Sequence, residues 1–127
     1  MDFDLTAAPI LCVPSVSEAV DFYQRCFGFV RQDYFRGNDV YVVMKLGRAE
    51  LHLYESPRVN PNNVHATHVA DAFIWASSLE PVLLLAKENG LSPVRGPERY
   101  DSSPVATTEV VYPDNSGYWI CFAEAHL

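Results

Sequence analysis

Two stretches of the chain carry the same punctuation, and that repetition constrains the fold more than any other feature. In "SVSEAVDFYQRCFG", Ser15 and Glu18 stand in capping-box spacing, and Val16, Ala19, Val20, Tyr23 and Cys26/Phe27 recur at helical intervals. Gly28 sits where a left-handed C-cap is expected. "SSLEPVLLLAKENG" repeats the pattern, with Ser77 and Glu80 as the box and Pro81 in the first turn. Leu79, Val82, Leu83 and Ala86 form its apolar stripe, and Asn89-Gly90 is the stop. In both, the glycine lies 13 positions after the serine, and the two stretches are offset by 62 residues. One capping box is weak evidence; the same box, length and stop occurring twice predicts a duplicated module.

The flanks agree. A short apolar run precedes each helix, "APILCV" and then "DAFIWA". After the first helix come "FVRQDYF", "DVYVVMKLG" and "RAELHLYE", separated by turn signals at Gly37-Asn38 and Gly47. After the second come "LSPVRGPER", "ATTEVVYP" and "GYWICFAE", separated at Asp101–Ser103 and Asp114–Gly117. Each half therefore reads β-α-β-β-β, an α+β class. The 127 residues are expected to form one domain of two modules, 5–57 and 69–127, joined by the Pro- and Asn-rich linker 58–68.

Sixteen Asp plus Glu against nine Lys plus Arg give a net charge of −7, a surface that repels nucleic-acid phosphates and anionic membranes. The apolar runs are far too short to span a bilayer, and "MDFDLTAAPI" has no basic-then-apolar leader pattern. A soluble, cytoplasmic protein is expected. Cys12, Cys26 and Cys121 are odd in number and widely spaced, against both a disulfide framework and a C-x-x-C site. No phosphate loop is present. Ser77-Ser78, Ser102-Ser103 and Thr107-Thr108 lack the elbow of a nucleophile motif.

Paired β-α-β-β-β modules, "VSEAVDFYQRCFGF" and "YPDNSGYWICFAE" together resemble the vicinal oxygen chelate superfamily, which includes glyoxalase I, extradiol dioxygenases and the fosfomycin and bleomycin resistance proteins. The resemblance spans nearly the whole chain and implies two curved four-stranded sheets around a cleft. It also implies four metal-ligand positions, which fall on Ala8, His52, Asp71 and Cys121. Ala8 has no donor, Asp71 stands where histidine is commoner, and Cys121 stands where glutamate is commoner. The hard-donor set for Mg, Mn, Fe or Ni is thereby broken. His52, Asp71 and Cys121 with one water would still be a legal set for a divalent metal such as zinc, the alternative being a metal-dependent lyase or dioxygenase. The plainer readings are a hydrogen-bonded histidine, a capping aspartate and a cysteine acting as a small hydrophobe. His65, His68 and His126 fall in the linker and tail, where histidines are usually solvated.

Strand alternation sorts the remaining side chains. Ile10, Cys12, Glu50, Tyr54, Phe73, Trp75 and Trp119 share a face with the four positions, whereas Leu11, Val13, Leu51, Leu53, Ala72, Ile74, Ile120 and Phe122 face the helices. The first set is aromatic and acidic, suited to stacking and to cations. "AAPILCV" and "DAFIWASSLEPV" are most similar to the bleomycin resistance branch, whose members sequester a cationic glycopeptide between two subunits without covalent chemistry. That likeness implies a metal-free homodimer, without a cofactor, that binds a bleomycin-like or other cationic aromatic compound. The ligand-binding residues would be Glu50, His52, Tyr54, Asp71, Phe73, Trp75, Trp119 and Cys121. Tyr100, in the expected loop "GPERYDSSPV", stands in for an aromatic anchor.

Overall fold

The computed structural model describes residues 5–32, 40–64, 69–101 and 104–127. In chain order the elements are β1 (Ile10–Val13), α1 (Val16–Phe27), β2 (Val30–Gln32), β3 (Tyr41–Leu46) and β4 (Ala49–Glu55). A 3₁₀ turn (Asn62–Val64) follows, then β5 (Ala72–Trp75), α2 (Glu80–Glu88), β6 (Arg95–Tyr100), β7 (Ala106–Pro113) and β8 (Trp119–His126). The strands form two four-stranded sheets of matching topology, β1-β4-β3-β2 and β5-β8-β7-β6. In each, the strand before the helix pairs in parallel with the last strand of its half, Ile10 opposite His52 and Ala72 opposite Ile120. The expected turn at Gly37-Asn38, the Ser102-Ser103 pair, His65 and His68 lie outside the described residues.

Helix α1 follows its punctuation closely. The Ser15 side chain accepts from the Glu18 backbone N–H at 3.2 Å, and Gly28 ends the helix at φ 81°, where a side chain would be strained. Its whole predicted stripe is buried, together with Phe22. Helix α2 departs from expectation. It starts at Glu80 and not after Ser77, and its N-cap, Leu79, makes no side-chain cap bond. Ser78 Oγ accepts from the Glu80 N–H at 3.3 Å, while the Leu79 N–H donates to Glu124 Oε1 of β8 at 2.8 Å. A carboxylate from the sheet thus does part of the work that the local box was expected to do. Strand β6 begins at Arg95, later than "LSPVRGPER" suggested, and its register is irregular between Arg95 and Glu98, where Gly96 takes φ 80° and Pro97 has no N–H to donate.

The two halves share one core. Phe27 of α1 packs against Tyr112 of β7 and Phe122 of β8, with ring centroids 5.8 and 5.2 Å away. All eight residues assigned to the helix side belong to this core or pack against it. Polar ties reinforce the join. Tyr23 OH donates to Asp114 Oδ2 at 2.6 Å across 91 residues of sequence, and both are buried. Tyr118 OH donates to the Cys12 carbonyl at 2.6 Å. Among the described residues, no helix is long and apolar enough to cross a membrane.

Candidate functional site

The sheet faces away from the helices carry the candidate site. On the first sheet, cross-strand pairing sets Ile10 beside His52, Cys12 beside Tyr54, Val43 beside His52, Tyr41 beside Tyr54 and Lys45 beside Glu50. On the second it sets Phe73 beside Cys121, Trp75 beside Ala123, and Glu98 beside Glu109. Apolar side chains stand open on this face: Trp75 is 62 % exposed, Ile10 59 % and Phe73 50 %. The Phe73 and Trp75 rings meet edge to face at 5.1 Å. Alternation produces this outcome directly, since Ala72 and Ile74 turn inward and leave the two larger rings outside.

Glu50, Asp71, Phe73 and Trp75 come together on one groove of about 450 Å³, where Arg48, Ala7 and Pro9 complete the polar and apolar walls. This volume lies within the range of small-molecule sites. His52, Tyr54, Trp119, Cys121 and Tyr100 do not line that groove. His52 is held on its own sheet: Tyr41 OH and Nδ1 are 2.6 Å apart, and Nε2 lies 3.9 Å from Glu50 Oε1. Tyr100 is a strand residue and not a loop residue, closing β6 with its hydroxyl donated to Glu98 Oε2 at 2.9 Å. Asp71 precedes β5. Its Oδ1 accepts from the Asn62 N–H at 2.7 Å and its Oδ2 from the Trp119 N–H at 2.8 Å.

Cys121 is buried, and its thiol is aimed at Glu109 Oε1, 3.7 Å away. Burial, then the neighbouring Glu109 carboxylate, push its pKa up to about 12. Both influences favour the protonated thiol over the thiolate. His, Cys, Asp and Glu nowhere gather in a metal-holding group of three among the described residues. Within one chain His52, Asp71 and Cys121 do not gather: the Asp71 oxygens accept from two backbone donors, and His52 stands on the other sheet.

Sequence reasoning missed Glu109, Glu98 and Tyr41. Alternation in "ATTEVVYP" would have exposed Glu109, because Val110 and Tyr112 enter the core and force the odd positions to the open face. Glu98 follows only once the register shift at Pro97 is known. His126, expected to be a solvated tail residue, lies in β8, where Nε2 is 2.7 Å from Thr108 Oγ1.

A family model described as the glyoxalase/bleomycin resistance protein/dioxygenase superfamily matches residues 4–122. Among solved structures, a glyoxalase/bleomycin resistance protein/dioxygenase from Alicyclobacillus acidocaldarius superposes with a TM-score of 0.79. Its identity is 15 %, and the match covers 98 % of this chain and 93 % of that one. The bleomycin resistance determinant encoded on the transposon Tn5 gives 0.72 at 19 % identity, over 97 % and 99 % of the two chains. A virulence protein from Salmonella typhimurium gives 0.71 at 20 % identity, over 98 % of both. At such identities the likeness is one of fold. No curated protein matches the chain in sequence.

Proposed function

The chain belongs to the glyoxalase/bleomycin resistance protein/dioxygenase superfamily, and from that premise we propose that it is a small-molecule-binding protein that sequesters a cationic aromatic compound without metal. One observation carries the reading: the groove that joins exposed Phe73 and Trp75 to the Glu50 carboxylate. Flat rings held edge to face offer a stacking platform, and a carboxylate at the same groove favours a ligand that is both planar and positively charged. The net charge of −7 favours approach of such a ligand.

The donor set does not fit a metal. Ala8 offers no donor, the Asp71 oxygens accept from Asn62 and Trp119, and burial disfavours a Cys121 thiolate. These donors favour the metal-free reading over a lyase or dioxygenase using His52, Asp71 and Cys121. The same reading makes the protein a homodimer, in which a second copy covers the open face around Ile10, Tyr54, Phe73 and Trp75 and completes the ligand cleft. Large apolar side chains left open in this way are costly to keep in water.

Titration calorimetry with bleomycin and a panel of cationic aromatic compounds tests the proposal. Saturable heat near one ligand per chain is expected from at least one of them. Absence of heat across the panel, with the protein folded and dimeric by sedimentation, would sink it.

A further inference from the structure

The opposite side of the second sheet holds a second groove, about 540 Å³ in volume, between α2 and the strands β6, β7 and β8. Its walls include Leu79, Leu83, Leu84 and Pro97, with Lys87 as the cationic side chain and Thr108 and Glu124 at the sheet. Thr108 lies directly opposite Glu124 in the β7–β8 ladder, and His126 is two residues farther along the same face. Thr108 Oγ1 is 2.7 Å from His126 Nε2. His126 Nδ1 is 3.7 Å from Glu124 Oε2, while the other oxygen of Glu124 is fixed by the Leu79 N–H at 2.8 Å.

The order of atoms is the one that nucleophilic catalysis requires: hydroxyl, then Nε2, then Nδ1, then a carboxylate. Nε2 accepts the threonine proton only in the tautomer that carries its own proton on Nδ1, and a carboxylate on the Nδ1 side favours that tautomer. Neither the sheet–sheet core nor the groove at Trp75 uses these three residues. They need no helix–turn elbow, because the strand ladder itself sets the spacing.

We propose that Thr108, His126 and Glu124 form an acyl-transfer site for small esters with an apolar acyl chain, which would lie along Leu79, Leu83, Leu84 and Pro97. Thr108 Oγ1 attacks the ester carbonyl carbon as its proton passes to His126 Nε2. The carbonyl oxygen takes up the electron pair and is drawn toward the Lys87 ammonium. As the carbonyl re-forms, the carbon–oxygen bond to the alcohol breaks, and the leaving alcohol takes the proton from Nε2. Water then attacks the acyl-threonine by the same route. It gives its proton to Nε2, the carboxylic acid leaves, and Thr108 recovers its hydroxyl proton. Glu124 is the positioning residue, acting through the imidazole.

p-Nitrophenyl butyrate, mixed with the full chain, reads both steps through nitrophenolate release and the intact mass. The expected result is a burst of about one nitrophenolate per chain, with a butyryl group mapped by peptide sequencing to Thr108. Thr108→Val keeps the side chain's shape and is expected to abolish both burst and label. His126→Gln is expected to slow acylation about a hundredfold. Glu124→Gln still accepts from the Leu79 N–H; it is expected to lower the acylation rate at least tenfold with an unchanged melting temperature. The proposal is overturned if release matches that of the urea-unfolded chain, if the label maps to Lys87 or elsewhere, or if folded Thr108→Val keeps the burst.

Discussion

Replacing Tyr23 by phenylalanine removes one oxygen atom from the join between the two halves and nothing else. The ring stays in its place against Phe22, Phe27 and Phe29, so no cavity opens. What changes is Asp114, 7 % exposed, whose carboxylate takes one bond from Tyr23 OH and two from the Ser116 and Tyr118 N–H groups. Loss of one hydrogen bond to a buried charge costs about 1.5–3 kcal/mol. For a chain of this length that is a fall in melting temperature of roughly 5–12 °C at neutral pH. The cost depends on pH. Burial raises the Asp114 pKa above the ordinary 3.8, and the Tyr23 bond is the largest influence opposing it. Without that bond the folded-state pKa rises further. A carboxyl with a raised folded pKa contributes stability below its unfolded value, and that contribution disappears as pH climbs through the folded value. The gap between the parent and Tyr23→Phe is therefore widest at neutral pH and narrows in acid, as the carboxyl takes up a proton. Urea unfolding at pH 7 and in acid buffer measures both arms. A loss below about 0.5 kcal/mol at pH 7, where a charged bond is worth several times more, refutes the reasoning. A gap that widens in acid refutes it equally.

Gly96→Ala should be among the most damaging single changes, because its φ of 80° strains any side chain and a Cβ there would run into the Glu109 carbonyl. A loss of at least about 2 kcal/mol by urea unfolding is expected, and a near-neutral result would mean that the β6 irregularity relaxes freely. Burial and the Glu109 carboxylate disfavour the Cys121 thiolate, pushing its pKa up to about 12. Mass-mapped iodoacetamide labelling of the folded chain should modify half-buried Cys12 well before Cys121, and equal rates would contradict the assignment. Trp75→Ala should weaken whichever cationic aromatic compound binds by about tenfold or more while leaving the melting temperature within a few degrees, since the ring is 62 % exposed. Unchanged affinity would move the ligand off this groove.

How far the sequence could be read depended on whether a residue's partners were near in the chain. Helix α1 was legible because Ser15, Glu18 and Gly28 satisfy its ends locally. The start of α2 was not, because Glu124, far along the chain, supplies its acceptor. Period-2 alternation assigned Leu51, Leu53, Ile120 and Phe122 to the core and left Phe73 and Trp75 outside. Alternation fails where a strand slips, and the irregularity at Gly96-Pro97 hid the pairing of Glu98 with Glu109. Side-chain hydrogen bonds were hardest to foresee. Nothing local in "CFAEAHL" indicates that His126 meets Thr108, since the β7–β8 register alone decides it.

The sequence resemblance assigns Asp71 to a position where a metal-binding histidine is expected, and its two oxygens fasten the linker at Asn62 and the first residue of β8 at Trp119. That double use makes the position a ratchet. A single Asp71→His step toward coordination would strip acceptors from two backbone donors at once, before any metal could repay the loss. The linker and the β7–β8 turn would first have to find other partners. Directed evolution of metal chemistry on this scaffold would thus do better to begin at Ala8 than at Asp71.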